Sequence, residues 1–329
     1  MRQLGVCVPV RPEAGDPAFA RPERWGCLRA PLHTPLVARL AVVPDVRVVP
    51  LDFRDGYVRD GVLWVGDAPV EGLDGFFWYC EVDRAPGAYE LELLKTLAAR
   101  TPVVPDPFRW ELALDKFQAH QLLQRAGLRV PEHVLFDAAH IDALHPVMDA
   151  WGAALLKPRR GAWGQGVHLV ESFAALRDLV GYVTSVAGRA PDRGFLLERY
   201  YDNDMTRWAS VTVLGGEVVC AYRKRPEKVT AMAPGRFKVF DAGAQGGAVE
   251  PAEIDDAQRE LAVDAAQVLG CAIIGFDMIA TEDGPMIVDE NTSPGNYPEV
   301  YAAFGCDPVE AFTAVALSAL PTSPVVADR

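Results

Sequence analysis

The sequence predicts an α/β protein built from more than one unit, and three observations support this fold class. Short runs rich in β-branched and aromatic residues alternate with segments of helical periodicity along the chain. Two hairpin signals, a Gly-Gly pair at 215–216 and an acidic Glu-Asp-Gly turn at 282–284, follow in the last third. At 329 residues the chain is long enough for two or three domains.

The first hundred residues predict an α/β unit that ends near residue 106. Pro, Gly and Asp residues bound short apolar runs, so strands are expected at residues 4–10, 46–51, 63–65 and 76–80. Helical spacing predicts a helix over 88–99, and a final strand is expected at 102–105. Residues 11–35 hold many Pro and Arg residues, which predicts an irregular loop.

A second unit is expected from residue 107 to 197. A helix is predicted over 112–126, because Gly127 and then Pro131 provide its stop. Ser172 is a typical N-cap residue, so a second helix is predicted from there to about residue 186. Strands are expected at residues 133–136, 153–157, 167–170 and 195–201.

The third unit is expected from residue 198 to 329. Strands at 209–214 and 217–222 flank the Gly-Gly pair, and a basic, Pro-rich segment follows at 223–238. A helix is predicted over 251–269, opened by Pro251 and closed by Gly270. Two strands at 273–280 and 286–288 bracket the acidic turn, and a last helix is expected over 308–320.

The composition excludes several function classes. A net charge of −13 argues against nucleic-acid binding, because recognition of a phosphate backbone needs a basic surface. The six cysteines form no C-x-x-C pair and the six histidines form no H-E-x-x-H pattern, so no zinc site is indicated. The first apolar run is too short for a signal peptide and no segment is long enough to cross a bilayer. We therefore expect a cytoplasmic protein in a reducing compartment.

Three oxygen-bearing side chains late in the chain, Asp277, Asp289 and Asn291, indicate a metal site. The acidic turn would bring Asp277 on one strand close to Asp289 at the end of the other. Asp289 and Asn291 are two residues apart, so both point to one face of a strand. Such a set suits Mg²⁺, which usually leaves positions for water and nucleotide phosphates. Taken alone, the pattern is equally compatible with an acidic, solvated hairpin end.

A glycine-rich stretch after Lys157 indicates an anion-binding loop. Gly161, Gly164 and Gly166 would let backbone N–H groups approach phosphates closely. The stretch is not a Walker motif, because no Lys-Ser/Thr follows it, and a strand is predicted where a Rossmann fingerprint needs a helix. An ordinary flexible turn is the alternative for this stretch, and Lys116 alone would be an ordinary solvated lysine.

The order of these segments resembles the ATP-grasp superfamily. Between residues 106 and 320 the chain carries a helical Asp-Lys, a Lys-Pro strand, the glycine loop, a Leu-Glu-x-Tyr strand, an Arg-bearing hairpin, and Asp…Asp-x-Asn before Ser-Pro-Gly. It is most similar to the branch that contains the ribosomal-protein S6 glutamate ligase and glutathione synthetase-like enzymes. The resemblance implies an ATP-grasp fold with the nucleotide between two lobes. Its parts would be a Rossmann-like pre-ATP-grasp domain (1–106), a central lid subdomain (107–197) and a C-terminal subdomain with the metal site (198–329).

The resemblance also implies roles for single residues. Those expected to bind ATP, from the phosphates to the ribose, are Lys116, Lys157, Gly161, Gly164, Gly166, Glu198, Tyr200 and Asp204. Glu198 would meet the adenine amino group, although Asp204 lies one residue further from Arg207 than a usual D-x-R places it. Two Mg²⁺ ions, for which Mn²⁺ can substitute, would be held by Asp277, Asp289 and Asn291. The transferred phosphoryl group would be neutralised by Arg207 with Arg223 or Arg225.

Two departures limit what can be transferred from the family. The S6 ligase group has Phe-Arg-x-Asn ahead of a Gly-Gly pair, whereas this chain has Phe-Lys-Val-Phe at 237–240 and its glycines at 246–247. The acceptor-side contacts of the family are therefore not carried over. Glu290 occupies a usually apolar position between two expected metal ligands, and it should point away from the metal.

The implied activity is an ATP- and Mg²⁺-dependent carboxylate–amine ligation through an acylphosphate. The substrates would be small carboxylates and amines, an amino acid or small peptide among them, and the basic segment at 223–238 favours an anionic co-substrate. Three alternatives stay open: loading of an acid onto a carrier-protein thiol, phosphorylation of a small molecule, and nucleotide binding without turnover. Neither a nucleic acid nor a membrane is an expected partner, and the resemblance is compatible with a homodimer.

Overall fold

A computed structural model of the chain describes residues 1–8, 30–80, 82–161, 164, 166–185, 194–202, 206–225, 230–233, 236–238 and 248–321. The N-terminal unit contains, in chain order, β1 (Arg2–Cys7), α1 (Ala30–Ala41), β2 (Val46–Leu51), β3 (Gly56–Arg59), β4 (Val62–Val65), β5 (Ala68–Pro69), β6 (Gly75–Phe77), α2 (Tyr89–Ala98) and β7 (Val103–Val104). Four strands form a parallel sheet in the order β2-β1-β6-β7, and β3, β4 and β5 form a small antiparallel sheet. Whether this unit is Rossmann-like stays a prediction.

Helix α1 begins inside the segment for which the sequence predicted an irregular loop. Leu32, Leu36 and Leu40 recur every four residues, and all three are buried in the core beneath the parallel sheet. Pro35 lies within the helix, and the prolines around it hide this periodicity in the sequence. The predicted loop is therefore wrong for residues 30–35, and its remaining part at 11–29 lies outside the described residues.

The middle of the chain contains α3 (Pro107–Leu114), α4 (Lys116–Arg125), β8 (His133–Phe136), α5 (His145–Trp151), β9 (Ala154–Lys157), β10 (His168–Val170), α6 (Phe173–Ser185) and β11 (Phe195–Arg199). The four strands form an antiparallel sheet in the order β10-β9-β11-β8. The Ser172 hydroxyl accepts a hydrogen bond from the Ala175 N–H at 3.2 Å, so its predicted capping role is confirmed.

The helix predicted as one segment over 112–126 is broken at Asp115. This residue has extended backbone angles (φ −90°, ψ 99°), and its carboxylate accepts a hydrogen bond from the Gln118 N–H at 3.4 Å. Aspartate favours such capping positions over helix interiors because its side chain competes for the backbone N–H groups. Lys116 is therefore the first residue of a new helix, directly after the capping carboxylate.

The last part of the chain contains β12 (Ala209–Leu214), β13 (Glu217–Arg225), β14 (Thr230–Ala233), β15 (Arg236–Lys238), β16 (Ala248–Pro251), α7 (Asp256–Leu269), β17 (Ile273–Thr281), β18 (Gly284–Asn291), α8 (Pro298–Ala303) and α9 (Pro308–Leu317). Five strands form an antiparallel sheet in the order β16-β13-β12-β17-β18, and β14 pairs with β15. Gly215 and Gly216 both have positive φ angles (59° and 86°), which joins β12 to β13 by the predicted two-residue turn.

Helix α7 starts later than its predicted opening at Pro251, which instead ends β16. Asp255 caps the helix by accepting from the Gln258 N–H, and the Gln258 side-chain oxygen accepts from the Asp255 N–H in a capping box. The two reciprocal hydrogen bonds satisfy two backbone N–H groups at the start of the helix. They fix this start at Asp255 rather than at Pro251, although proline is favoured in the first turn of a helix. The predicted stop at Gly270 is confirmed, with φ at 69°.

Two of the hydrophobic cores are shared by segments that lie far apart along the chain. Helix α9 packs on α1, so Phe312 shares a core with Leu4 of β1. Helix α4 contributes Leu123 to the core of the five-stranded sheet, whereas Leu156 belongs to a separate core of the β8–β11 sheet. These two antiparallel sheets meet where Lys157 of β9 contacts the Val288 carbonyl of β18. The domain boundaries at 106 and 197 stay a prediction.

Candidate functional site

The acidic hairpin of β17 and β18 has the predicted pairing. Asp277 lies directly opposite Asp289, and Gly275 lies opposite Asn291. A register irregularity after Asp277 separates this end of the hairpin from the regular ladder toward its turn. Asp277 is 8% exposed and Asp289 is half-buried, so both carboxylates lie below the surface rather than at a solvated hairpin end.

Lys116 forms an ion pair with Asp289 across the junction of α4 and β18. Burial lowers the pKa of Lys116, but the charge and hydrogen bond of Asp289, together with the charges of Glu290 and Glu198, raise it more, so the pKa lies above its ordinary value. Burial raises the pKa of Asp289, but Lys116 and Lys157 lower it more, so this pKa lies below its ordinary value. Both groups therefore carry their full charge at neutral pH.

Lys157, the last residue of β9, reaches the same strand. Its ammonium group donates a hydrogen bond to the Val288 carbonyl at 3.1 Å and lies 2.5 Å from a carboxylate oxygen of Glu198 on β11. Lys157 and Glu198 are 5% and 1% exposed. The structure therefore brings both predicted lysines to the end of the strand that carries Asp289 and Asn291.

The two lysines are also connected through the backbone. The Lys116 N–H donates to the Arg159 carbonyl at 3.0 Å, two residues beyond Lys157. The Arg159 guanidinium in turn contacts the buried carboxylate of Asp115 at 2.5 and 3.2 Å. The start of α4 and the exit of β9 are thus fixed to each other, and the glycine-rich stretch begins directly at this junction.

Asp277 has a cationic partner that the sequence analysis did not select. The Lys224 ammonium lies 2.9 Å from Asp277, and the Ser210 hydroxyl donates to the same carboxylate at 2.6 Å. Burial lowers the pKa of Lys224, but Asp277 raises it more, so the pKa lies above its ordinary value. The sequence analysis ended this strand at residue 222 and chose Arg223 or Arg225. Because β13 continues to Arg225, Lys224 lies within the strand, and alternation places it on the opposite face from Arg223.

The remaining predicted residues lie around this centre or outside the described part. Arg223 donates from Nε to the Trp208 carbonyl at 3.4 Å, and Arg207 is exposed. The Tyr200 N–H donates to the Ala153 carbonyl at 3.0 Å. Asp204 and the side chain of Arg225 lie outside the described residues.

The glycine-rich stretch connects two antiparallel strands, β9 and β10. Gly164 and Gly166 have φ angles of 69° and 74°, a left-handed conformation that favours glycine. The Gly164 carbonyl accepts from the Val167 N–H at 3.3 Å, which closes the loop ahead of β10. Gly161 precedes this turn and follows the anchored Arg159-Arg160 pair.

A small apolar cluster adjoins the charged centre. Trp208, Ile279 and Met286 are buried, and Tyr201 and Val288 pack against them. Val288 carries the carbonyl that Lys157 contacts, so the cluster begins next to the lysines. Such a surface can take up a flat apolar ring while the charged groups hold an anion.

The oxygen donors fit a hard divalent cation that an anionic ligand shares. Two carboxylates and one amide, from Asp277, Asp289 and Asn291, converge at one end of the hairpin, and each carboxylate is balanced by a lysine. Within the described ranges, no group of three His, Cys, Asp or Glu side chains could hold a metal ion.

Across the described part of the chain, no helix combines the length and the hydrophobicity that crossing a bilayer requires.

Both a family model and a named protein match this chain. A family model described as "RimK-like ATP-grasp domain" matches residues 113–301. The chain is 29% identical over 220 residues to a protein of Parasynechococcus marenigrum (strain WH8102) named "Probable alpha-L-glutamate ligase". The match covers 67% of this chain but only 42% of that relative, so the chain spans less than half of the relative's length.

Solved structures show the same fold at low sequence identity. A RimK domain ATP-grasp protein from Sphaerobacter thermophilus DSM 20745 matches with a TM-score of 0.62 and 17% identity, covering 95% of this chain and 98% of that one. The ATP-grasp ligase PsnB, complexed with a minimal precursor, Mg and ADP, matches with a TM-score of 0.61 and 16% identity, covering 96% and 97%. These matches confirm the predicted ATP-grasp fold.

Proposed function

Because the chain belongs to the family of RimK-like ATP-grasp domains, we propose that it is an ATP- and Mg²⁺-dependent ligase that joins a carboxylate to an amine. The observation that carries this proposal is the convergence of Lys116 and Lys157 on the hairpin end with Asp277 and Asp289. Fixed ammonium groups and hard oxygen donors in one cleft are what a metal-bound triphosphate requires.

The proposed reaction makes a carboxylate electrophilic in two steps. A substrate carboxylate oxygen attacks the γ-phosphorus of ATP and the bond to the β,γ-bridging oxygen breaks, which gives an acylphosphate and ADP. The nitrogen of an amine then attacks the acyl carbon, phosphate leaves, and the amine loses a proton as the amide forms. Both steps depend mainly on positioning and on neutralisation of negative charge, so no side-chain nucleophile is needed.

The residues of the chain divide these tasks. Lys116 and Lys157 would hold the phosphates, and Gly161, Gly164 and Gly166 would cover them and exclude water. Lys224 is placed by its contact with Asp277 to neutralise charge on the moving phosphoryl group. The resemblance gives this role to Arg207 with Arg223 or Arg225 instead, and we favour Lys224 over Arg223, because Arg223 contacts the Trp208 backbone. Glu198, Tyr200 and Asp204 would lie toward the adenosine.

Asp277, Asp289 and Asn291 would hold Mg²⁺, and Mn²⁺ is an expected substitute. A metal bound there would supply charge neutralisation between the β- and γ-phosphates. Ser210 orients the Asp277 carboxylate through its hydroxyl, and Lys116 does so for Asp289. The expected number of two metal ions is part of this proposal.

The substrate class we propose is an amino acid or a small peptide. The relative described above is named "Probable alpha-L-glutamate ligase", and PsnB was solved with a minimal precursor. The basic segment at 223–238 supports an anionic co-substrate, because it carries five Lys and Arg residues beyond Arg223 and one carboxylate, Glu227. A homodimer and a cytoplasmic location remain predictions.

The proposal is tested by a screen for stimulated ADP release. Purified protein with ATP and Mg²⁺ is incubated with amino acids and small carboxylates in pairs, and products are identified by mass. We expect ADP release that needs both a carboxylate and an amine, and hydroxylamine should trap the acylphosphate as a hydroxamate. ADP release without hydroxamate, together with a phosphorylated product, would instead indicate a kinase, and a requirement for a carrier protein would indicate thioester formation.

The matched control for the screen is Asp289→Asn, which removes the charge but preserves the shape of the side chain. We expect it to abolish ADP release while the fold, followed by circular dichroism, is unchanged. Normal ADP release by this variant would overturn the metal assignment.

A further inference from the structure

A buried polar cluster of His120, Glu198 and Glu290 lies behind the candidate site, and two of its members, His120 and Glu290, have no role in the reaction described above. His120 of α4 is 0% exposed, and its ring lies between Glu198 of β11 and Glu290 of β18. Glu290 follows Asp289 directly but points to the other face of its strand, as expected for alternating residues.

Both nitrogens of the His120 ring face carboxylate oxygens. Nδ1 lies 3.4 Å from Glu198 and Nε2 lies 3.1 Å from Glu290. An ionised carboxylate only accepts hydrogen bonds, and a neutral imidazole carries one N–H, so a neutral ring would turn a lone pair toward one carboxylate. The N–H directions fall short of good hydrogen-bond alignment. The short N···O distances in a buried space nevertheless make the attraction between opposite charges large.

The charges of the cluster balance when His120 is doubly protonated. Lys157 and His120 then contribute two positive charges, and Glu198 and Glu290 contribute two negative charges. A neutral ring would leave one buried negative charge in excess, which is costly in a low-dielectric interior. Burial lowers the pKa of His120, but Glu290 and Glu198 raise it more, so the pKa lies above its ordinary value.

We infer that His120 is a positioning residue, an imidazolium that bridges Glu198 and Glu290 and thereby holds Glu198 where it fixes the Lys157 ammonium. The bridge spans three elements, α4, β11 and β18, and so joins both antiparallel sheets at the cleft. The expected effect of His120 on ATP binding rests on the proposed function, whereas the protonation state of the His120 ring does not depend on that function. Without His120, Lys157 would have to balance both Glu198 and Glu290, which would draw its ammonium toward the carboxylates and away from a phosphate.

The ring state is tested by ¹⁵N NMR of the full chain labelled at histidine. The chain has six histidines, and the His120 signals are identified by their loss in His120→Gln. We expect both ring nitrogens of His120 to be protonated at pH 7.5, where an ordinary histidine is mostly neutral. A ring with one protonated nitrogen, as when a Glu carries the proton instead, would overturn the inference even if the protein binds ATP well.

The positioning role is tested by calorimetry of Mg-ATP binding and by steady-state kinetics. We expect His120→Gln to weaken ATP binding about tenfold and to raise the KM for ATP with little change in kcat. His140→Gln is the matched control, because this ring is exposed and contacts Asp137 rather than the cluster. We expect it to change ATP affinity less than about twofold.

A compensating variant separates positioning from general damage. In His120→Gln with Glu290→Val, the surplus carboxylate is gone and Lys157 again balances Glu198, so we expect most of the lost ATP affinity to return. Affinity that stays as low as in His120→Gln, with both variants folded, would overturn the positioning role. If the wild-type protein bound no ATP at all, the proposed function would fail, while the NMR result would still decide the state of the ring.

Discussion

Replacing Lys224 with Met should weaken Mg-ATP binding far more than replacing Arg223 with Met. The two residues are neighbours on β13, but alternation places them on opposite faces. Lys224 contacts Asp277 at 2.9 Å, whereas Arg223 contacts the backbone of Trp208 at 3.4 Å. Only the first of these contacts lies among the groups that we assign to the metal and the phosphates.

The magnitude follows from the burial of the Lys224 side chain, which is 15% exposed. A unit charge about 4 Å from a phosphate oxygen contributes about 1 kcal/mol in water and about 4 kcal/mol at an effective dielectric constant of 20. A partly screened group should lie between these limits, so we expect a loss of about 2–3 kcal/mol, or about 30- to 160-fold in Kd. For Arg223→Met we expect less than about fivefold, as for a charge outside the site.

The assay is isothermal calorimetry with Mg-ATP, which needs no knowledge of the other substrates. Lys224→Arg keeps the charge and should recover most of the affinity, and thermal unfolding of each variant shows whether it folds. An Arg223→Met variant that loses more affinity than Lys224→Met would refute the assignment of the two faces of β13.

Three further predictions concern the supports of the site. Asp115→Asn should lower the free energy of unfolding, measured in urea, by about 1–3 kcal/mol, because Arg159 loses a charged partner. Unchanged stability would show that the Asp115–Arg159 ion pair does not secure the start of α4. Burial raises the pKa of the Glu111 carboxyl, but Lys95, Gly87 and Arg160 lower it more, so the pKa in the folded protein lies below its ordinary value. The contribution of this carboxylate to stability is therefore present above about pH 4.3 and is lost as the pH falls through the folded-state pKa. Glu111→Gln should therefore cost about 1 kcal/mol at pH 7 and less at pH 3, and an equal cost at both pH values in urea unfolding would contradict this. Removal of Mg²⁺ with EDTA should weaken ATP binding by at least about tenfold in calorimetry, because no metal ion then offsets the repulsion between the triphosphate and the carboxylates of Asp277 and Asp289. Equal affinity with and without EDTA would contradict the metal site.

The features that sequence reasoning predicts well here are those set by neighbouring residues. The Gly215-Gly216 turn needs two positive φ angles, which glycine adopts at no steric cost, so the hairpin around it is read directly from the chain. The acidic turn at 282–284 fixes which residues of β17 and β18 face each other, and this places Asp277 opposite Asp289. Strand alternation then separates Asn291 from Glu290.

The features that sequence reasoning missed depend on partners far along the chain. Lys224 meets Asp277 across 53 positions of the chain. No local pattern distinguishes Lys224 from Arg223 until the length of β13 is known. His120 has the helical spacing of an ordinary core residue, and its role follows only from two carboxylates on other strands. Such placements are set by tertiary packing rather than by propensity.

The three lysines of the site share one property that links the fold to the proposed chemistry. Each is paired with a carboxylate: Lys116 with Asp289, Lys224 with Asp277, and Lys157 with Glu198. The three positive and three negative charges therefore balance one another inside the cleft, and this balance limits the free-energy cost of burying them before any ligand is present. A metal-bound triphosphate brings both a cation for the aspartates and anions for the lysines. Binding would then exchange partners instead of leaving charges unpaired. The His120 bridge extends the same balance to Glu290, and it does so on the face of β18 that the ligand does not reach.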